Sequence, residues 1–413
     1  MYKFLTGRLI LVRIVLLAAS AALIVIGIVT IYSVGNPAQP GPASEAAGLA
    51  LHWKKQIVFA SIGVLAFLAA NFVNYRRFGA ASAWVYALIL LVLAILLVDK
   101  VIDVPFVPVI NRVRRWVSIS AGSHQISLQP SEFCKLAYIL ALAWYLRYRS
   151  NYRSFSALIG PFLLTLLPMI LILAEPDLGT VLLMMPILFT MLFVAGAKVK
   201  HLFLIVLLAL LVSPLLWKKM NHYQRIRISS VLLQNAWLQD KAEKHPALGR
   251  ILVGDKFSKK QWKNNWGYHL MFSKFAIASG GAAGYGFAEG PFTKYDFLWA
   301  RHNDFIFAAI AHQWGFLGCL LLLFLYAVII ACGVEIAAHN TDPFGRLLAV
   351  GILSMFAVQV LVNVSMTMGL MPITGLTLPF VSYGGSSLVV SMVAIGLLNN
   401  VGRCRPFTLA RKT

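Results

Sequence analysis

Asp304 stands where acid–base chemistry is best served. It lies in the run Arg301-His302-Asn303-Asp304-Phe305-Ile306-Phe307, where polar groups meet the start of a long apolar segment. Withdrawing water from such a carboxylate raises its pKa toward a value useful in a general base. An aspartate in this place can equally be an ordinary helix N-cap, and residue types alone leave both roles open.

Other constellations carry similar pairs of readings. Arg114-Arg115-Trp116 precedes Gln129-Pro130-Ser131-Glu132 and Lys135, and Glu132 and Lys135 are spaced to face one way on a helix, as a structural ion pair or as part of a ligand site. Asp177, in Glu175-Pro176-Asp177-Leu178-Gly179-Thr180, is placed to cap the helix that follows. Tyr223-Gln224-Arg225 and Arg227 offer alternate arginines that can grip a phosphate in two-pronged fashion or simply face water. The glycine-rich run Gly280, Gly281, Gly284, Gly286 lacks the ending of a phosphate-binding P-loop, so it reads as backbone folding closely over a ligand or a neighbouring helix. Pro372, Gly375 and Pro379, followed by Ser382-Tyr383-Gly384-Gly385-Ser386-Ser387, read as a broken helix lining a cavity.

The elements that must position these residues follow from composition. Of 413 residues 60% are hydrophobic and 12% charged, against about 25% charged in a soluble domain. The fold class is therefore an all-α polytopic membrane protein, a single membrane domain over 1–413. About ten transmembrane helices are expected, near 14–34, 57–73, 84–98, 132–146, 155–173, 178–195, 202–217, 305–332, 347–371 and 378–398. The fourth is short, which predicts a partly buried helix; the eighth is long, which predicts a tilted one. Lys3, Arg8 and Arg13 precede the first apolar run, which is too long for a signal peptide and reads as a retained helix.

Arg76, Arg77, Arg147, Arg149, Arg153, Lys198, Lys200 and the tail Arg403, Arg405, Arg411, Lys412 share alternate connections, which predicts that this side and both termini are cytoplasmic. The opposite side then holds a large extracytoplasmic loop between helices 7 and 8, residues 218–303, and every carboxylate except Glu335 and Asp342. Its positive balance suits an anionic ligand such as a lipid-linked diphosphate, or anionic headgroups. Cys134, Cys319, Cys332 and Cys404 have no paired or metal-like spacing, and the nine histidines form no zinc motif.

Taken in order, Arg115-Trp116, Gln129-Pro130-Ser131-Glu132 with Lys135, Glu175 to Thr180, Tyr223-Gln224-Arg225-Ile226-Arg227, Gly267-Tyr268-His269, His302-Asn303-Asp304-Phe305 and Ser382 to Ser387 resemble the SEDS family (shape, elongation, division and sporulation) of cell-wall polymerases. The likeness spans nearly the whole chain. Ser273-Lys274-Phe275 and the residues to Gly281 are more similar to the RodA branch, which serves elongation, than to the FtsW branch of division.

The resemblance implies a peptidoglycan glycosyltransferase of the bacterial cytoplasmic membrane. It would polymerise lipid II beside a class B penicillin-binding protein, among membrane lipids and without nucleic acid. Asp304 matches the family's catalytic aspartate. Arg115, Glu132, Lys135, Arg225, Arg227, Lys274, Arg301 and His302 are the substrate-binding candidates. No organic cofactor is implied; a divalent cation such as Mg²⁺ is admissible, without a defined site.

The chain departs from the family at Trp299-Ala300, at His312-Gln313-Trp314-Gly315, where acids are usual, and in an insertion near 234–265. A lipid II flippase or a non-catalytic scaffold are the rival expectations. A flippase would need polar groups continuing to the cytoplasmic side.

Overall fold

Long apolar runs closed by local caps build the helices. The computed structural model describes residues 8–36, 51–99, 107–108, 115–121, 124–148, 154–175, 177–220, 222–295, 297 and 300–403. Of the positions singled out above, Lys3, Arg114, Arg149, Arg153, Pro176, Trp299, Cys404, Arg405, Arg411 and Lys412 lie outside the described residues.

The long helices are α1 (Arg8–Gly35), α2 (His52–Phe72), α3 (Tyr75–Val98), α4 (Pro130–Leu146), α5 (Ile159–Ala174), α6 (Leu178–Val194) and α7 (Val199–Lys219). Then, besides single turns of helix, come the shorter α8 (His222–Leu232), α9 (Ala236–Lys244), α10 (Pro246–Val253) and α11 (Tyr268–Ser279), followed by α12 (Ile306–His339), α13 (Pro343–Thr367) and α14 (Gly385–Arg403). Among the described residues seven helical spans are long and apolar enough to cross a membrane. The apolar helices α4, α6 and α7 fill the three remaining expected places.

Starts are written locally. Asn74 accepts from Arg76 N to open α3, and Asp342 accepts from Phe344 N, with Pro343 in the first turn, to open α13. Pro168, Pro186 and Pro214 lie inside α5, α6 and α7, as membrane helices tolerate.

The centre of the bundle is α4, α13 and α14, each mostly buried, whereas α2 and α3 are largely exposed. The fourth span is thus short because it is a core helix, buried more completely than expected: only Phe133, Trp144 and Tyr145 of its residues are less than buried. Asn400 of α14 donates to the carbonyls of Ala70 and Val73 at the end of α2, an interhelical bond worth about 0.6–2 kcal/mol in lipid. The same end of the bundle carries Arg13 on Asn399, and Arg76 with Tyr75 on Asp342.

The eighth span is broken as well as long. Gly315 has φ 63° and ψ −159° inside α12, a conformation open to glycine, and there the helix opens its ladder. The carbonyls of His312 and Gln313 accept from Tyr285 N and Gly286 N, at 3.1 and 2.9 Å, while Phe316 N and Leu317 N donate to Gly281 and Ala282. An added Cβ at Gly284 would lie 2.2 Å from Gln313 O. The glycine run therefore folds over a neighbouring helix.

The segment between α7 and α12 is largely helical and has a small apolar core of its own, including Ile226, Leu233, Val253, Phe257 and Trp262. Among the described residues the only strands are β1 (Val117–Ala121) and β2 (His124–Leu128), an antiparallel ribbon with Val117 opposite Leu128.

Candidate active site

Asp304 is held through its backbone. A turn brings Asn303 N and Phe305 N onto Ala300 O at 3.1 and 3.3 Å. Asn363 of α13 donates to both Asp304 O, at 3.1 Å, and Leu376 O, at 2.6 Å. Ser382 Oγ donates to Asn303 O and accepts from Leu378 N, both at 2.8 Å, and Tyr383 N donates to His302 O at 2.9 Å. Gln56 of α2 clamps this strap from behind, donating to Ser382 O at 3.1 Å and accepting from Gly384 N at 3.3 Å. Irregular backbone among apolar helices must find such partners. The break before α14, which begins at Gly385 instead of the expected 378, exists to carry this strap.

The carboxylate does no capping. Phe305 is the N-cap of α12, with no side-chain bond to the helix. Asp304 instead faces Gly375: a Cβ there would sit 3.6 Å from Asp304 Oδ2 and 3.9 Å from Arg227 Nη1. With φ at 74°, glycine both permits the turn and keeps the space between acid and arginine open. Burial pushes the Asp304 carboxyl above its ordinary 3.8, outweighing the opposing pull of Arg227 and Arg115, while Asp177 adds to the rise.

The nearby charges are satisfied differently. Asp177 caps α6 as expected: Oδ1 accepts from Thr180 N at 3.3 Å, and Oδ2 accepts from Thr180 Oγ1 at 3.0 Å, Ser131 Oγ at 2.9 Å and Gln129 Nε2 at 3.4 Å. Glu132 and Lys135 form a 2.7 Å ion pair buried in the wall of α4, the geometry of the structural reading. Arg115 Nε donates to Glu175 O at 2.7 Å.

Of the substrate-binding candidates, Arg227 and Arg115 join Asp304. Arg225 does not. The pair lies on α8, where two residues are separated by about 200° around the axis; Arg225 turns to Lys218 O at 2.7 Å, so the expected two-pronged grip is replaced by one arginine per face. Lys274 is exposed and donates to Gln234 Oε1 at 2.9 Å. Arg301 is almost wholly buried and donates to Tyr295 O at 3.2 Å. His302 packs with His52 and Tyr383, its ring 4.7 Å from the first and 5.8 Å from the second. Burial, then the neighbouring His52 and Arg301, press its pKa to about 3, so it is neutral at physiological pH and cannot serve as a cation.

His312 bonds Ser279 Oγ through Nδ1 at 2.9 Å and accepts from Phe292 N at 3.3 Å. Among the described residues no three His, Cys, Asp or Glu converge, and Asp177 and Glu132 are engaged by protein donors.

Gln56 and Asn363 escaped sequence reasoning, and Gly375, read there only as part of a broken helix, turns out to separate Asp304 from Arg227. Asn363 leaves a faint trace, an amide side chain within an apolar run, which in a membrane helix marks a required partner; Gln56, next to Lys54 and Lys55, leaves none.

Fold and site together define a multi-pass membrane protein with a desolvated carboxylate and arginines at one end of its bundle. The chain belongs to the FtsW/RodA/SpoVE family, described as cell cycle proteins, whose sequence profile matches residues 13–405. It is 33% identical over 435 residues to the peptidoglycan glycosyltransferase RodA of Treponema pallidum (strain Nichols), covering 94% of this chain and 96% of that protein. To the stage V sporulation protein E of Bacillus subtilis (strain 168) it is 35% identical over 353 residues, covering 85% and 86%. Its fold is similar to a chain solved for the structural coordination of polymerization and crosslinking by a peptidoglycan synthase complex, with TM-score 0.71 and 30% identity over 94% and 96% of the two chains. It is also similar to the Thermus thermophilus rod shape determining protein RodA, with TM-score 0.61 and 28% identity over 94% and 95%.

Proposed function

We propose that this chain is a peptidoglycan glycosyltransferase that polymerises lipid II during cell elongation, with Asp304 as general base. The observation that carries the role of Asp304 is its raised carboxyl facing Arg227 across Gly375. Asp304 takes the proton of the acceptor sugar's 4-hydroxyl as that oxygen attacks the donor's anomeric carbon. The bond from that carbon to the diphosphate breaks with inversion, and undecaprenyl diphosphate leaves with the bonding pair. Arg227 and Arg115 offset the charge that develops on it. The proton passes from Asp304 to water before the next cycle.

Arg13, Arg76 and Arg147 at the opposite end of the bundle support a cytoplasmic assignment for that end, and with it a site on the outer face of the cytoplasmic membrane. Relatives of a polymerising and crosslinking complex support a class B penicillin-binding protein as partner. Flipping is disfavoured because the motif residues gather at the Asp304 end, while Ile139 of α4, Ile352 of α13 and Ile395 of α14 are buried in the core behind it.

The test is polymerisation of labelled lipid II in liposomes by wild type and Asp304→Asn, each with the transpeptidase. Glycan ladders from the first and none from a folded, partner-bound second are expected; equal ladders would remove Asp304 from the reaction.

A further inference from the structure

The last turn of α7 meets α8 and α10 around a cavity of about 600 Å³. Its walls are of two kinds. Pro214, Trp217 and Ile251 are apolar, with Trp217 Nε1 donating to Ile251 O at 2.8 Å; Lys218, Arg225 and Arg250 bring three cations. Among the described residues none of these cations has a carboxylate partner, and Arg225 Nε is buried with no acceptor while Nη2 is spent on Lys218 O. Basic groups gathered without counter-charge repel one another, and a buried guanidinium N–H without an acceptor is costly. An anion corrects both.

The cavity adjoins bare apolar helix. Every residue of 206–215 in α7 is exposed, a hydrophobic surface around the whole circumference such as lipid covers. Lys218 and Trp217 close that helix as interfacial residues do. Free phosphate would leave the Pro214 and Ile251 walls unfilled. A lipid-linked sugar engaged at Asp304 belongs on the other face of α8, where Arg227 points.

We propose that this cavity binds an anionic phospholipid of the surrounding bilayer, its phosphate among Lys218, Arg225 and Arg250 and its acyl chains along Pro214, Ile251 and α7. The bound lipid fixes α8 from the side opposite Arg227.

The test is native mass spectrometry of the purified full-length chain in detergent with equal phosphatidylglycerol and phosphatidylcholine. Wild type should retain phosphatidylglycerol selectively, and millimolar inorganic phosphate should not displace it. Each cation near an anionic headgroup contributes roughly fivefold in affinity, so Lys218→Gln/Arg250→Gln should bind about 25-fold more weakly. Both residues are exposed, and an unchanged melting temperature verifies the fold; Arg225→Gln is the second variant. Equal retention by wild type and both variants, equal retention of phosphatidylcholine, or displacement by inorganic phosphate overturns the proposal. Displacement by undecaprenyl diphosphate at equal concentration would reassign the cavity to substrate.

Discussion

Asp177 and Asp304 both stand immediately ahead of long apolar helices, yet one caps its helix and the other does not. Asp177 has a donor for each oxygen, three of them side chains on α4 and α6 or just before α4. Asp304 has its backbone strapped at three successive residues and its carboxylate turned to Gly375 and Arg227. An aspartate whose oxygens are all engaged fixes structure; one whose position is fixed from behind keeps its oxygens for a ligand.

The largest break in that comparison is Asp304→Asn, which should lower polymerisation turnover by about 10²–10⁴ without loss of fold. A raised carboxyl pKa means the folded state binds that proton more tightly than the unfolded chain does. Stability is then lost as pH rises from 3.8 through the folded value, so the neutral asparagine should hold or raise the melting temperature at pH 7.

Lys135→Met belongs to the opposite side of the comparison. It strands Glu132 in the wall and should cost about 3–5 kcal/mol, with Glu132→Leu in addition restoring much of it; thermal unfolding in detergent reads both. Asp177→Ala should cost about 1–3 kcal/mol and lower turnover less than Asp304→Asn, and a reversed ranking would erase the distinction. The smallest effect is a shift in pH. Arg227 holds the Asp304 carboxyl down and Asp177 holds it up, so the acid limb of the pH–rate profile should move to higher pH in Arg227→Gln and to lower pH in Asp177→Asn.

The ten helices were legible because a span needs only a long apolar run, and Asp177 was legible because a cap is set by neighbours in sequence. What lay beyond reach depends on which helix face meets which. Arg225 and Arg227 look equivalent in a string, and only the helical phase of α8 sends one to Asp304 and the other to Lys218. Glu132 and Lys135 could be paired from their spacing, but not buried, since that follows from the central place of α4. Gln56 and Asn363 act across 326 and 59 residues of sequence, and no local pattern announces the carbonyls they hold.

At Gly315 the carbonyls of His312 and Gln313 lose the amides of Phe316 and Leu317, their partners in an unbroken α12, and each of the four groups finds a mate in 281–286. The loop and the helix therefore share one hydrogen-bonded ladder. The four amides of Tyr285, Gly286, Phe316 and Leu317 should exchange with deuterium together, as one cooperative unit. Evolution is constrained in the same place: a single insertion between 281 and 286 would throw the shared ladder out of register and unmake the base of the helix that Asp304 precedes.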